Sequence, residues 1–182
     1  VCSSDLTDWV DKLNYTNTRE YVFNGFLFST EFARRCAASG INIGNAVETP
    51  DATDAWQMNV QILALCNEQR QNNGLEKLMT REDLWEQVAQ VRAGEIVNYF
   101  SHTRPNGSSC FSLYDEAGLD YRAAGENIAA GYYGASAVVD GWMNSTGHRA
   151  NILSESYDYL ATGYATGGAY GTNYCQNFLG DW

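Results

Sequence analysis

Two runs near the C-terminus, 158–166 and 171–179, alternate apolar with polar residues and are rich in Tyr, Thr and Phe, with Gly167, Gly168 and Gly171 between them. A period of two, broken by glycines that permit a tight reversal, marks an antiparallel hairpin. A lone hairpin is marginal in water, so preceding elements must cover it. Residues 54–73 carry Met58, Ile62, Leu65 and Cys66 at helical spacing and end at Gly74. A second helix is expected from Thr80 as N-cap, with Asp83 three residues on, through Leu84, Val88 and Val91 to about Phe100. A Pro/Gly/Asn loop follows over 102–109, then a short helix over about 110–117, stopped by Gly118. Residues 121–131 read as a strand with an interior Gly125, and Ser136 to Met143 as a helix with Val138, Val139 and Trp142 inward. Gly147 to Leu153 reads as a turn into a short helix. Helices, strand, helix, then two strands is an α+β order.

The chain has 182 residues, enough for one domain plus a fragment. Hydrophobic residues make up 45% of it, which excludes wholesale disorder. The net charge of −11 argues against nucleic acid as the main partner, because phosphate contacts need clustered Lys and Arg. No run reaches the ~18 apolar residues of a transmembrane segment. Residues 7–44 read as short helices and 45–53 as a linker around Pro50. The segment Gly25-Phe26-Leu27-Phe28-Ser29-Thr30-Glu31-Phe32, with Cys36 and Gly40-Ile41 behind it, resembles the end of a helical domain of unknown function common in exported bacterial proteins. Val1-Cys2-Ser3-Ser4-Asp5-Leu6 resembles a translated sequencing adapter, so 1–6 is read as an artefact and Cys2 stays out of any cysteine argument. Cys36, Cys66, Cys110 and Cys175 remain, and four thiols allow three pairings. Cys36 and Cys66 lie on apolar helix faces and read as buried free thiols. A Cys66–Cys175 pair is geometrically possible if the first long helix lies on the sheet.

The chain has two histidines, His102 and His148, with Glu126 between them. His102 closes a long amphipathic helix, Glu126 is a charge inside an apolar strand, and His148 precedes an apolar turn. Polar groups at element ends are where sites tend to form, and a half-buried carboxylate needs a partner. Imidazole and carboxylate can bind zinc or hold and shuttle a proton.

Four motifs follow one another. They are Ser101-His102-Thr103-Arg104-Pro105-Asn106-Gly107, Gly125-Glu126-Asn127-Ile128-Ala129, Trp142-Met143-Asn144-Ser145-Thr146-Gly147-His148-Arg149-Ala150-Asn151-Ile152-Leu153, and Gln176-Asn177-Phe178. Together they resemble the bacterial branch of the CAP superfamily over residues 54–182. The resemblance implies a three-layer α-β-α sandwich around a small, mostly antiparallel sheet, exported to the cell surface or beyond. It implies a cleft in which His102 and His148 match the two family histidines and Glu126 the glutamate of the Gly-Glu-Asn motif. The family's second glutamate falls at about Ser145, so that acidic group is absent here. A His-His-Glu cluster remains, with Asn127 and Ser145 as ligand-binding hydrogen-bond partners.

His102 and His148 are the expected ligands of a Zn2+ ion, with Glu126 beyond them or acting as base on a bound water. An architectural alternative pairs Glu126 with His148 to tie the strand to the helix turn. Three functional readings stand open. One is a binding domain for a divalent metal or an extracellular ligand, lipid or cell-envelope partner, without robust catalysis. Another is a metal-dependent hydrolase using His102, Glu126 and His148. The third is a structural cell-surface module.

Overall fold

The computed structural model describes residues 55–182. The helices, the linker and Cys36 read between positions 7 and 53 lie outside the described residues. Residues Asp54–Trp182 form one compact unit.

Helix α1 (Ala55–Asn72) buries Met58, Ile62 and Cys66, as its spacing requires. The second helical stretch is not one regular helix. It opens as α2 (Glu82–Leu84), widens into a π-helical turn (Trp85–Ala89) and resumes as α3 (Gln90–Ile96). The Gln90 amide reaches back to the Trp85 carbonyl, five residues away, where an α-helix would use four. The expected cap is corrected too: Arg81 is the residue that enters α2, and the Thr80 hydroxyl instead accepts a hydrogen bond from Asn59 (3.3 Å). Helix α4 is Ser112–Glu116, followed by β1 (Ala123–Ala130), α5 (Ala135–Met143), α6 (Thr146–Ile152), β2 (Tyr159–Gly167) and β3 (Gly171–Gly180).

The three strands run in the order β1-β3-β2, all antiparallel. β3 is central and buried along most of its length, while β1 and β2 are the edges. Strand alternation sends neighbouring residues to opposite faces. Ala129, Leu160, Tyr174 and Phe178 face α1, α5 and α6, where Ile62, Cys66, Val138, Trp142 and Ile152 complete the larger core. Ala161 and Leu179 face the π turn and α4, packed on Val88, Ala89 and Tyr114. Ile128 and Cys175 meet Ala93 and Ile96 of α3. The result is the expected α-β-α sandwich.

Gly163 explains how closely the π turn sits on β2: a Cβ there would lie 1.9 Å from the Ala89 carbonyl oxygen, so only glycine fits. The exposed edge of β2 is then closed by side chains and a short bridge. Gln90 accepts from the Tyr164 amide (3.1 Å) and donates to its carbonyl (2.8 Å). Asn59 accepts from the Thr162 amide (2.8 Å). Met79 pairs with the backbone at Asp158 and Leu160. Unpaired edges invite strand addition, and these groups occupy the β2 edge.

Arg70, buried on α1, donates to the carbonyls of Glu76 (2.7 Å), Ile152 (2.8 Å) and Ser154 (2.7 Å). A guanidinium there satisfies carbonyls left open at the end of α6. It fixes α6, the helix that carries His148, against α1.

Candidate functional site

The site forms where β1, the loop after α3 and the start of α6 meet. Glu126 sits mid-strand on β1 and is buried. Its two oxygens are both engaged. Oε2 accepts from Arg92 Nε at 2.8 Å, and Oε1 accepts from Arg92 Nη2 at 3.1 Å and from His102 Nδ1 at 2.9 Å. The Cys175 thiol lies 3.3 Å from Oε2 on the adjacent strand. Burial alone would raise the Glu126 pKa, but the hydrogen bonds from His102 and Arg92 and the guanidinium charge outweigh it and bring it down to about 2. The expectation that Glu126 pairs with His148 is therefore corrected: its partners are Arg92 and His102. The choice follows from the strand, because Glu126 faces α3 while His148 lies towards the opposite layer.

Arg92 is fully buried on α3. Besides Glu126 it donates to Glu95 Oε2 (2.7 Å) and to the Ser101 carbonyl (2.6 Å). Glu95 in turn accepts from Arg104 Nε (2.9 Å), and Arg104 donates to Ser112 Oγ (2.9 Å) and Glu116 Oε1 (2.6 Å). The charges alternate along Glu116, Arg104, Glu95, Arg92, Glu126 and His102. Reading for histidine and carboxylate chemistry missed both arginines. The signal was present in sequence: Arg92 and Glu95 stand three apart on one helix, and three apart is one face.

A carboxylate is only an acceptor, so Nδ1 of His102 carries the proton in this contact. That leaves Nε2 of a neutral ring as a free lone pair. The His102 side chain is 59% exposed, so the far side of the ring meets solvent. His148, at the third position of α6, is half-buried. Burial first, and the nearby charge of His102 second, hold its pKa below the ordinary value.

Asn127, next along β1, faces the other layer and is fully buried. Its amide donates to Gln176 Oε1 (2.9 Å) and the His148 carbonyl (3.1 Å), and its oxygen accepts from Asn151 (2.8 Å). Gln176 continues this chain of amides to the Cys66 sulfur (3.2 Å). Asn127 thus braces the backbone at His148 from below. Ser145 is the residue that enters α6, and its carbonyl accepts from the Arg149 amide (2.8 Å). The structure gathers His102 and Glu126 into direct contact, sets His148 near them, and leaves Asn127 beneath.

Cys66, Cys110 and Cys175 are free and buried, which removes the Cys66–Cys175 pairing. Burial pushes the Cys66 thiol up to about 12 and Cys110 up to about 11, so neither is a ready thiolate. For a zinc ion, the donor set offers two imidazoles. Glu126 is spent on Arg92 and His102, and no group of three His, Cys, Asp or Glu side chains is arranged around a common point among the described residues. Two imidazoles would supply at most half of a tetrahedral donor set. A depression of about 430 Å³ lies over Met143, Asn144, Thr146, Arg149, Ala150 and Leu153.

A small antiparallel sheet between two helical layers, with a buried glutamate bound to one of two histidines, defines the class: an α-β-α sandwich with a His-Glu site. Residues 63–178 match the family model described as the cysteine-rich secretory protein family, CAP. The chain belongs to that family. It is 33% identical over 150 residues to the uncharacterized protein YkwD of Bacillus subtilis (strain 168), covering 81% of this chain and 56% of that protein. It is 38% identical over 128 residues to the uncharacterized membrane protein YlbC of the same organism, covering 67% of this chain and 34% of that one. An extracellular protein containing a SCP domain from Bacillus anthracis str. Ames superposes with a TM-score of 0.62 at 31% identity, covering 73% of this chain and 44% of that chain. An outer surface protein of Borrelia burgdorferi shares the fold at a TM-score of 0.62 and 17% identity, covering 72% of this chain and 96% of that chain. The described residues contain no helix long and apolar enough to cross a membrane.

Proposed function

We propose that this chain is the binding domain of an extracellular bacterial protein, and that its ligand engages His102 Nε2 and His148 at the open side of the Glu126 cluster. The observation that carries this reading is the division of labour at Glu126. Its carboxylate is occupied on both oxygens and aims one ring nitrogen of His102 outward. A carboxylate held at a pKa of about 2 is a weak proton acceptor at neutral pH, which speaks against Glu126 as the base of a hydrolase. An extracellular setting is supported by the similarity to the extracellular SCP-domain protein of Bacillus anthracis. A divalent metal is one candidate ligand. Zinc would take His102 Nε2 and His148, with Glu126 orienting His102 from its far side, and would draw its remaining ligands from water or a bound molecule.

The test titrates zinc into the metal-free protein by calorimetry, and assays the zinc-loaded protein for casein hydrolysis. One saturable site, lost in the His102→Ala/His148→Ala double variant and without turnover, supports the reading. Turnover abolished by Glu126→Gln, with the variant still folded and still binding zinc, would replace it with the hydrolase. A second reading, a structural surface module, is favoured by the buried Arg92–Glu126 pair, which serves architecture equally well. Absence of any binding that depends on the two histidines would move the conclusion there.

A further inference from the structure

Arg92 belongs to neither the motifs nor the histidine pair, yet it touches three groups around His102: Glu126, Glu95 and the Ser101 carbonyl. Its Nε and Nη2 grip the Glu126 carboxylate on which His102 Nδ1 rests. Its Nη2 also holds the carbonyl of Ser101, the residue just before His102. Its Nη1 holds Glu95, and Glu95 holds Arg104, two residues after His102. The loop is thus fastened on both flanks of the histidine and under its ring, and all three fastenings run through one fully buried guanidinium. A planar fork with five donors can do this; an ammonium on a flexible stem cannot serve all these acceptors in the same geometry.

We infer that Arg92 is the positioning residue of the site: it fixes the Nδ1–H form of His102 and so presents the Nε2 lone pair to the cleft. A carboxylate only accepts, so His102 donates to it from Nδ1 as long as Arg92 holds the carboxylate in place. Without the fork, Glu126 loses the donors that orient it and the contact at Nδ1 lapses. The released ring then takes the Nε2–H form that neutral imidazole favours in water, and that proton blocks the lone pair. The Glu95–Arg104 arm keeps the other flank of the loop from swinging away.

The inference rests on His102 as the ligand-facing group, but its test reads the ring itself, so a failure to bind zinc leaves it standing. Nitrogen-15 spectra of the histidine side chains are recorded at alkaline pH, where imidazole is neutral. The whole chain is used, as wild type, Arg92→Lys and Arg92→Met. The wild type is expected to show His102 in the Nδ1–H form. Folded Arg92→Met is expected to show a shift to the Nε2–H form. Arg92→Lys keeps the positive charge and is expected to retain the Nδ1–H form, while amide exchange at Thr103, Arg104 and Cys110 quickens by about tenfold or more as the Ser101 and Glu95 contacts fail. A folded Arg92→Met with unchanged His102 signals overturns the inference. If Arg92→Met does not fold, Arg92→Lys decides: unchanged loop exchange overturns it, and faster exchange upholds it. A wild-type ring in the Nε2–H form also overturns it.

Discussion

Glu126 and Asn127 are neighbours on β1, yet they face opposite layers and are satisfied in opposite ways. Glu126 is held by charge, through Arg92 and His102. Asn127 is held by neutral amides, through Gln176 and Asn151. Each fixes one histidine: Glu126 takes the ring of His102, and Asn127 takes the backbone of His148. The difference teaches that the two histidines are not equivalent. One has its ring nitrogen assigned by a partner, and the other has only its place in the chain assigned.

The largest expected effect breaks the ionic side. Glu126→Gln leaves Arg92 buried without its carboxylate and should lower stability by about 3–5 kcal/mol, read as a fall in urea midpoint. Asn127→Ala removes neutral hydrogen bonds and should cost about 1–3 kcal/mol. An equal loss in both would erase the distinction between the faces.

Acid sharpens it further. Glu126 titrates lower in the folded protein than its ordinary value of 4.5, so its contribution is fully present above that value and is lost as the pH falls towards about 2. Urea midpoints measured across this window should fall less steeply in Glu126→Gln than in the wild type, whereas Asn127→Ala should keep the wild-type slope. The smallest effect compares the rings themselves. His148→Ala should change stability by less than about 0.5 kcal/mol, while His102→Ala, which takes a partner from a buried carboxylate, should cost about 1 kcal/mol or more. Thermal melts of the two single variants decide the order.

The layer order was legible because period and punctuation are local: Met58, Ile62 and Cys66 repeat at helical spacing, and the glycines at 167, 168 and 171 separate two alternating runs. The π turn was not legible. It arises from tertiary contact at Gly163, where the helix backbone lies against the strand, and residues 85–89 have no unusual composition. The three polar site residues could be found, His102 and His148 as imidazoles near element ends and Glu126 as a charge inside an apolar strand. Their pairing could not, because it depends on which sheet face Glu126 occupies relative to α3 and α6. Arg92 was hidden for a related reason: on an acidic chain, an arginine on a helix reads as solvated surface until a buried carboxylate is found opposite it.

The closed edge of β2 has a consequence at the scale of many molecules. An open strand lets crowded copies of a protein join into fibres. Here the hydrogen-bonding positions at Thr162 and Tyr164 are already taken by Asn59 and Gln90 of the same chain. Two side-chain amides therefore close this edge of the three-strand sheet to strand addition by a neighbour.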